Sequence, residues 1–180
     1  MRTTMGGLVD QVRLLIGDAG GDEEAFSNDE LQTFLDAWRT DVFYQALASQ
    51  PTIAPGGATS YLTWAAAVGW WESSEVLVDG SYNGLSATVV DRQRGRWTFA
   101  ASQAAVLITG SYYDIYNAAA DVADAWVAKE KFSFDFSADN AEYKRSQKIK
   151  GLETLSSRLR GLGLGGGVRT AQMVREDVAV

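Results

Sequence analysis

Residues 75–84 read Glu75-Val76-Leu77-Val78-Asp79-Gly80-Ser81-Tyr82-Asn83-Gly84. A short β-branched run meets two dipeptides, Asp79-Gly80 and Asn83-Gly84, that supply the positive φ angles of tight hairpin turns. The pattern continues in both directions. Leu85 to Val90 reads as a strand, Arg94-Gly95 as a turn, Arg96 to Phe99 as a strand and Val106 to Tyr113 as the last one. Tyr61, Trp64 and the pair Trp70-Trp71 precede the stretch and give this region large rings to bury. Residues 61–113 are therefore expected to form an antiparallel sheet of about four to six strands.

On either side the apolar period lengthens to that of a helix. Leu8, Val9, Val12, Leu15 and Ile16 share a face, and Gly17 follows where a helix C-cap belongs. Ser27 and Glu30 have capping-box spacing, and Leu31, Phe34, Leu35, Trp38 and Val42 continue as a stripe. A second helix is expected to run to about Ala48. Both prolines, Pro51 and Pro55, and Gly56-Gly57 mark residues 51–60 as a linker. Asp114 is a plausible N-cap for a third helix carrying Ile115, Ala119, Val122 and Trp126. A fourth, from about Ala138 to Gly161, presents Ile149, Leu152, Leu155, Leu159 and Leu162.

The expected fold is α+β: a bundle of about four helices with an inserted small antiparallel β-sheet domain and an extended C-terminal tail. Its divisions are a first helical half (1–50), the linker (51–60), the β subdomain (61–113), a second helical half (114–160) and a glycine hinge with an arm (161–180). An insert costs a helical frame little when its ends lie near each other, because loop-closure entropy grows slowly with length.

The chain has no histidine and no cysteine. It thus lacks the commonest general base, the commonest soft metal ligands and the strongest soft nucleophile. No serine has a Gly-x-Ser-x-Gly setting, and no carboxylate pair stands out, so neither an enzyme nor a cofactor is expected. Gly161 to Gly167 lacks the Lys-Ser/Thr ending of a phosphate loop and follows a helix, so it reads as a hinge. Asp18, Asp22, Glu23 and Glu24 lack the alternation of a calcium loop and read as a solvated acidic loop. The start has no signal-peptide pattern and no run suits a membrane span, so the chain is expected to be soluble and made in a cytoplasm.

The net charge of −7 opposes indiscriminate binding to nucleic acid. Residues 1–60 hold nine acids against three bases, whereas residues 142–160 set Lys144, Arg145, Lys148, Lys150, Arg158 and Arg160 against Glu142 and Glu153. These are either solvated faces or acid-to-base contacts between copies in a head-to-tail ring. Arg92, Arg94 and Arg96 recur at period two on a hairpin. They either protect a sheet edge or touch phosphate, with DNA passing close by. Tyr61, Trp64, Trp70, Trp71 and Tyr82 are either the insert's core or a sugar-stacking platform. The tail beyond the glycines carries Val168, Met173, Val174, Val178 and Val180, more apolar surface than solubility needs. It suits a segment that orders against a partner.

Two blocks of sequence resemble a known family. Leu8-x₃-Val12-Arg13-x-Leu15-Ile16-Gly17-Asp18 with Phe26-Ser27-Asn28-Asp29-Glu30-Leu31-x₃-Leu35 resembles the start of head–tail connector (adaptor) proteins of tailed bacteriophages. Tyr113-Asp114-Ile115-Tyr116-Asn117-Ala118-Ala119-Ala120 resembles the opening of their long central helix. Ser137-Ala138-Asp139, Lys144-Arg145-Ser146-Gln147 and Leu152-x₂-Leu155-x₃-Leu159-Arg160 resemble their last long helix. Together the blocks cover about half the chain, and residues 61–113 depart from the family's minimal pattern by a larger β region.

The resemblance implies a structural virion protein. Its ring, usually twelvefold, lies under the portal at the neck between capsid and tail and extends the DNA channel. Its partners would be copies of itself, the portal, a tail-side neck or stopper protein, and DNA passing without sequence-specific contact. A C-terminal arm grips the portal in such proteins. Here it would fall on residues 168–180, with Val168, Arg169, Met173, Val174, Arg175 and Val178 as contacts. Arg92, Arg94, Arg96, Lys144, Arg145 and Lys148 would face neighbouring subunits or the channel. From a different class, the alternative is a non-catalytic binding module whose aromatic β insert recognises carbohydrate or peptide. A carboxylate hydrolase ranks last.

Overall fold

The computed structural model describes residues 1–18, 24–53, 56–131, 137–138, 141–142 and 145–164. Helices α1 (Gly6–Ile16) and α2 (Asn28–Ala37) come first. Eight strands follow: β1 (Arg39–Ala46), β2 (Ala48–Ile53), β3 (Thr59–Ala65), β4 (Val76–Val78), β5 (Gly84–Leu85), β6 (Val89–Asp91), β7 (Arg96–Thr98) and β8 (Leu107–Tyr113). Helices α3 (Ile115–Lys131) and α4 (Arg145–Leu162) close the described chain, with a two-residue ladder of β9 (Ser137–Ala138) and β10 (Ala141–Glu142) between them. The α+β architecture with four helices around a β insert is as expected.

The helix ends follow local chemistry. Gly17 stops α1 in the left-handed conformation at φ 72°, which a side chain rarely adopts. Ser27 and Glu30 form a full capping box on α2, with Ser27 N–H donating to Glu30 at 2.7 Å. Asp114 caps α3 by accepting the Asn117 backbone N–H at 3.1 Å. Helix α3 is the shared wall of the helical body, with α1, α2 and α4 all packed on it. Ala118, Ala119 and Ala120 are fully buried there, and their small side chains let neighbouring helices approach closely. Met5, Val9, Val12, Leu31, Leu35 and Ile115 fill the core, and Leu152 and Leu159 are the buried leucines of α4. Leu162, expected on that stripe, is exposed.

Several boundaries differ from the sequence reading. Helix α2 ends at Ala37, not near Ala48, because Arg39 to Ala46 pair with Leu107 to Tyr113 in an antiparallel ladder. Val42 fits a helical stripe and a strand equally well, and the partner strand decides. Both ends of the expected linker, 51–53 and 59–60, are strand. Pro51 sits where the β2–β3 register shifts between Gln50 and Thr52, and such a bulge tolerates its missing N–H. The β unit therefore spans 39–113 rather than 61–113. The single strand expected over Leu85 to Val90 is split between two sheets as β5 and β6. Helix α4 starts at Arg145, since Ser137–Ala138 is strand. The hinge and arm beyond Leu164 lie outside the described residues.

The two larger sheets are ordered β1-β8-β4-β5 and β2-β3-β7-β6. The chain joins them on both sides. It passes from β1 through Leu47 into β2, and from β5 through residues 86–88 into β6. Strands that change sheet in this way make the corners of a sandwich. Its core is rich in rings: Trp64, Trp71, Trp97 and Phe99 pack with Leu47, Leu77, Val106 and Ile108. Trp71 and Trp97 meet edge to face at 5.6 Å. Gly69 and Gly95 belong to the turn-on-loop contact beside them. A Cβ at Gly69 would lie 1.9 Å from the Gln93 carbonyl oxygen, and one at Gly95 would lie 2.3 Å from that of Val68.

Sandwich and helical body are tied at one junction. Asp114 N–H donates to the Trp38 carbonyl at 3.1 Å, so the chain enters and leaves the β unit at adjacent points. Tyr113 O–H donates to the buried Glu72 carboxylate at 2.6 Å, and Thr4 donates to its other oxygen. Arg2 reaches Tyr113 at 2.9 Å and Asp36 at 2.5 Å. Burial and then the Glu72 carboxylate push the Tyr113 hydroxyl well above its usual range, so it stays a neutral donor.

Candidate functional site

The buried charges are all engaged in holding elements together. Arg13 projects from α1 into the α1–α2 connection. It donates to Asp18 at 2.7 Å, Glu24 at 3.0 Å, the Phe26 carbonyl at 2.7 Å and Asn28 at 2.8 Å. Asp18 and Glu24 thus bind Arg13 instead of forming a solvated loop; Asp22 and Glu23 lie outside the described residues. Glu75 accepts from Arg92 at 2.9 Å and from the Trp97 indole at 3.2 Å. Among the described residues, no three carboxylates converge to hold a metal ion. Also among them, no helix is long and apolar enough to cross a membrane.

The arginine row expected on the hairpin is not a row. Arg92 turns inward to Glu75, because an arginine near a buried carboxylate is drawn to it. Arg94 lies in the turn, 3.7 Å from Asp91. Arg96 alone of the three is within a strand, exposed, on β7. On the basic helix, Lys148 lies 2.6 Å from Glu130 and over the Trp126 ring at 4.9 Å. Arg160 bridges Asp124 and Asp121, which raise its pKa. Arg145 begins α4, and Lys144 lies outside the described residues. Lys150 and Arg158 have no ion-pair partner among the described residues.

The acidic first third is engaged in the same way. Asp29 meets the N-terminal ammonium, Asp36 meets Arg2, and Asp41 meets Arg39 at 2.7 Å. A hydrogen bond from Ser111, then one from Arg39, hold the Asp41 carboxyl below the usual carboxylate range. Of the described bases on α4, Lys148 and Arg160 are paired within the chain.

The aromatic platform is not assembled either. Trp64 and Trp71 are core, and Trp70 packs edge-on against Tyr116 of α3 at 6.3 Å. Tyr61 and Tyr82 of that set stand exposed, as do rings on β1. Phe43 and Tyr44 fall at the register break of β1, with Tyr44 at φ 52°. Tyr44 meets Tyr82, itself at φ 64°, edge-on at 5.2 Å. Non-glycine residues at positive φ cost about 1–3 kcal/mol each and persist where the surroundings or a role hold them.

Strands β1 and β2 are exposed along nearly their whole length, without the in–out alternation of a one-sided sheet. Sequence reasoning missed them as a surface because it assigned them to a helix and a linker. One signal was available: from Val42 to Trp71 the sequence contains no Asp, Glu, Lys, Arg or His. Among the concavities of the described residues, one of about 220 Å³ lies between the start of α1 and the Trp70-Trp71 segment, one of about 190 Å³ between residues 67–70 and Tyr116, and an open groove of about 700 Å³ runs past Trp38, Tyr112, Asn117 and Arg160. The six arm residues Val168, Arg169, Met173, Val174, Arg175 and Val178 lie outside the described residues. Compared with known proteins, the chain matches no family model, no curated protein and no solved structure.

Proposed function

We propose that this chain is a structural subunit of a phage neck, a head–tail connector that assembles as a ring under the portal, extends the DNA channel and joins capsid to tail. One observation carries the reading. The two sequence blocks that resemble connectors, separated by the β unit, pack as one helical body around α3. The buried charges serve architecture, as suits a part that works by fitting to other proteins.

In this reading the helical body is the wedge of the ring and the segment after Leu164 is the arm toward the portal. Leu164 N–H still donates to Asp114 at 2.7 Å, so a truncation must spare it. The test mixes full-length chain with portal rings and images the product by electron microscopy. A ring stacked on the portal is expected from the full chain, and a folded but unattached subunit from the chain ending at Leu164. A full chain that never binds portal rings overturns the connector reading. A truncated chain that loads normally overturns the arm.

A further inference from the structure

The β unit has two open rims, and each runs along both sheets. One is the continuous segment β1–Leu47–β2, at the first edge of each sheet. The other is β5 to β6, at the opposite edge of the same sheets. Three strand spacings, about 14 Å, separate the rims within each sheet. Exposed sheet edges are ordinarily protected by charge, because unpaired backbone groups template further pairing. Here both rims are almost bare of it. The first lies within the charge-free run 42–71 apart from Arg39 and Asp41, which pair with each other, and the second within the charge-free run Gly80 to Val90 apart from Asp91 at its end, which pairs with Arg94. The contrast is meaningful in a chain with 22% charged residues.

Both rims expose apolar side chains. On the first, Phe43 is 76% and Ile53 71% exposed; on the second, Val89 is 61% exposed. Before Thr63, strand β3 has no ladder to β7, and once the Phe99 and Gln103 N–H groups have donated to the Leu62 and Tyr61 carbonyls, only the end that pairs Thr52–Ile53 with Thr59–Ser60 is a two-stranded ribbon. A two-stranded ribbon gains little stability by itself in water.

We propose that the first rim of one copy docks against the second rim of the next copy, β2 beside β6, in a head-to-tail contact. The occupant is a second copy because this chain itself carries the matching surface: an open edge of the same sheets, equally uncharged and apolar, on the other side. A charged partner would have to strip water from its ions against a surface with no counter-charge. Joining unlike edges makes the contact heterologous, and such contacts close into a ring when their rotation permits. The proposal rests on the ring reading above and assigns the surface that would build it, in place of the acid-to-base faces.

The absence of native cysteine makes the test clean. Ile53→Cys and Val89→Cys are prepared as separate full-length chains, mixed at high concentration or on portal rings, and treated with a short bismaleimide. A link between the two different variants is expected. Ile53→Lys and Val89→Asp should each weaken self-association about tenfold, and the double variant I53K/V89D should restore it, since Lys then faces Asp across the contact. Both positions are exposed, so folding is preserved and rescue separates docking from stability.

Rings without the Ile53–Val89 link, or Ile53→Cys linking only to itself, overturn the proposal while the ring reading stands. The link without any portal-bound ring upholds the rim contact and overturns the connector reading. Neither links nor rings overturns both.

Discussion

Arg13 in the helical body has four acceptors around its guanidinium, whereas strands β2 and β3 of the β unit hold no charged residue at all. The first region directs its ions inward and makes them structural. The second builds its core from tryptophan and leaves an uncharged edge outside. A buried ion pair ties elements to one geometry and is costly to break. A ring core tolerates an apolar exterior only where something covers it. The difference separates a region fixed by internal ion pairs from one whose outer edge carries almost no charge.

The comparison can be broken most forcefully at the tryptophan core. Trp97→Ala removes a fully buried ring that packs on Trp71 and leaves Glu75 without its indole donor. A loss of about 3–5 kcal/mol is expected in urea unfolding. A loss under 1 kcal/mol would mean that the sandwich is not held by its rings. Next, Arg13→Met strands the buried Asp18 and frees the α1–α2 connection, with an expected cost of about 3 kcal/mol. Arg13→Lys should recover only part of this, because an ammonium cannot span the four acceptors as the planar guanidinium does. Full recovery would reduce Arg13 to a generic positive charge.

Smaller changes sharpen the picture. Tyr113→Phe removes the donor to Glu72 at the junction of the two regions and should cost about 1–3 kcal/mol. Ser27→Ala should cost about 1 kcal/mol through the lost cap. Its signature is also read by titration. The Ser27 backbone N–H, then its hydroxyl, hold the Glu30 carboxyl below its ordinary 4.5. A carboxylate with a depressed folded pKa stabilises above its unfolded value and loses that contribution as pH falls through the folded one. Carbon-13 titration should place Glu30 below 4.5 in the parent and nearer 4.5 in Ser27→Ala.

The legible parts of the fold were local. Gly17, the Ser27–Glu30 box and the Asp114 cap each depend on residues within one turn, so their spacing alone announces them. The end of α2 was not legible, because Val42 suits both periods and its strand partner lies far away at Gly110. The split of Leu85 to Val90 depends on a change of sheet, which no local pattern records. Of the candidate contact residues, Arg92 pairs with Glu75, and Lys148 packs on Trp126 and pairs with Glu130, partners that no local pattern announces. A charge in sequence does not say whether it faces water or a buried counter-ion. The rims were hidden differently. Proline and glycine drew attention as linker signals, while the missing charges between Val42 and Trp71 passed as background.

The adjacency of Trp38 and Asp114 has a mechanical consequence. Tyr113 ends β8 and leads through Asp114 directly into α3, the helix on which the other three rest. Force applied to the sandwich therefore travels along β8 to the centre of the helical body rather than through a slack tether. Anchoring one sandwich would set the tilt of its own helices, and in the proposed ring the angle between copies would be inherited from strands rather than from helix-to-helix contact.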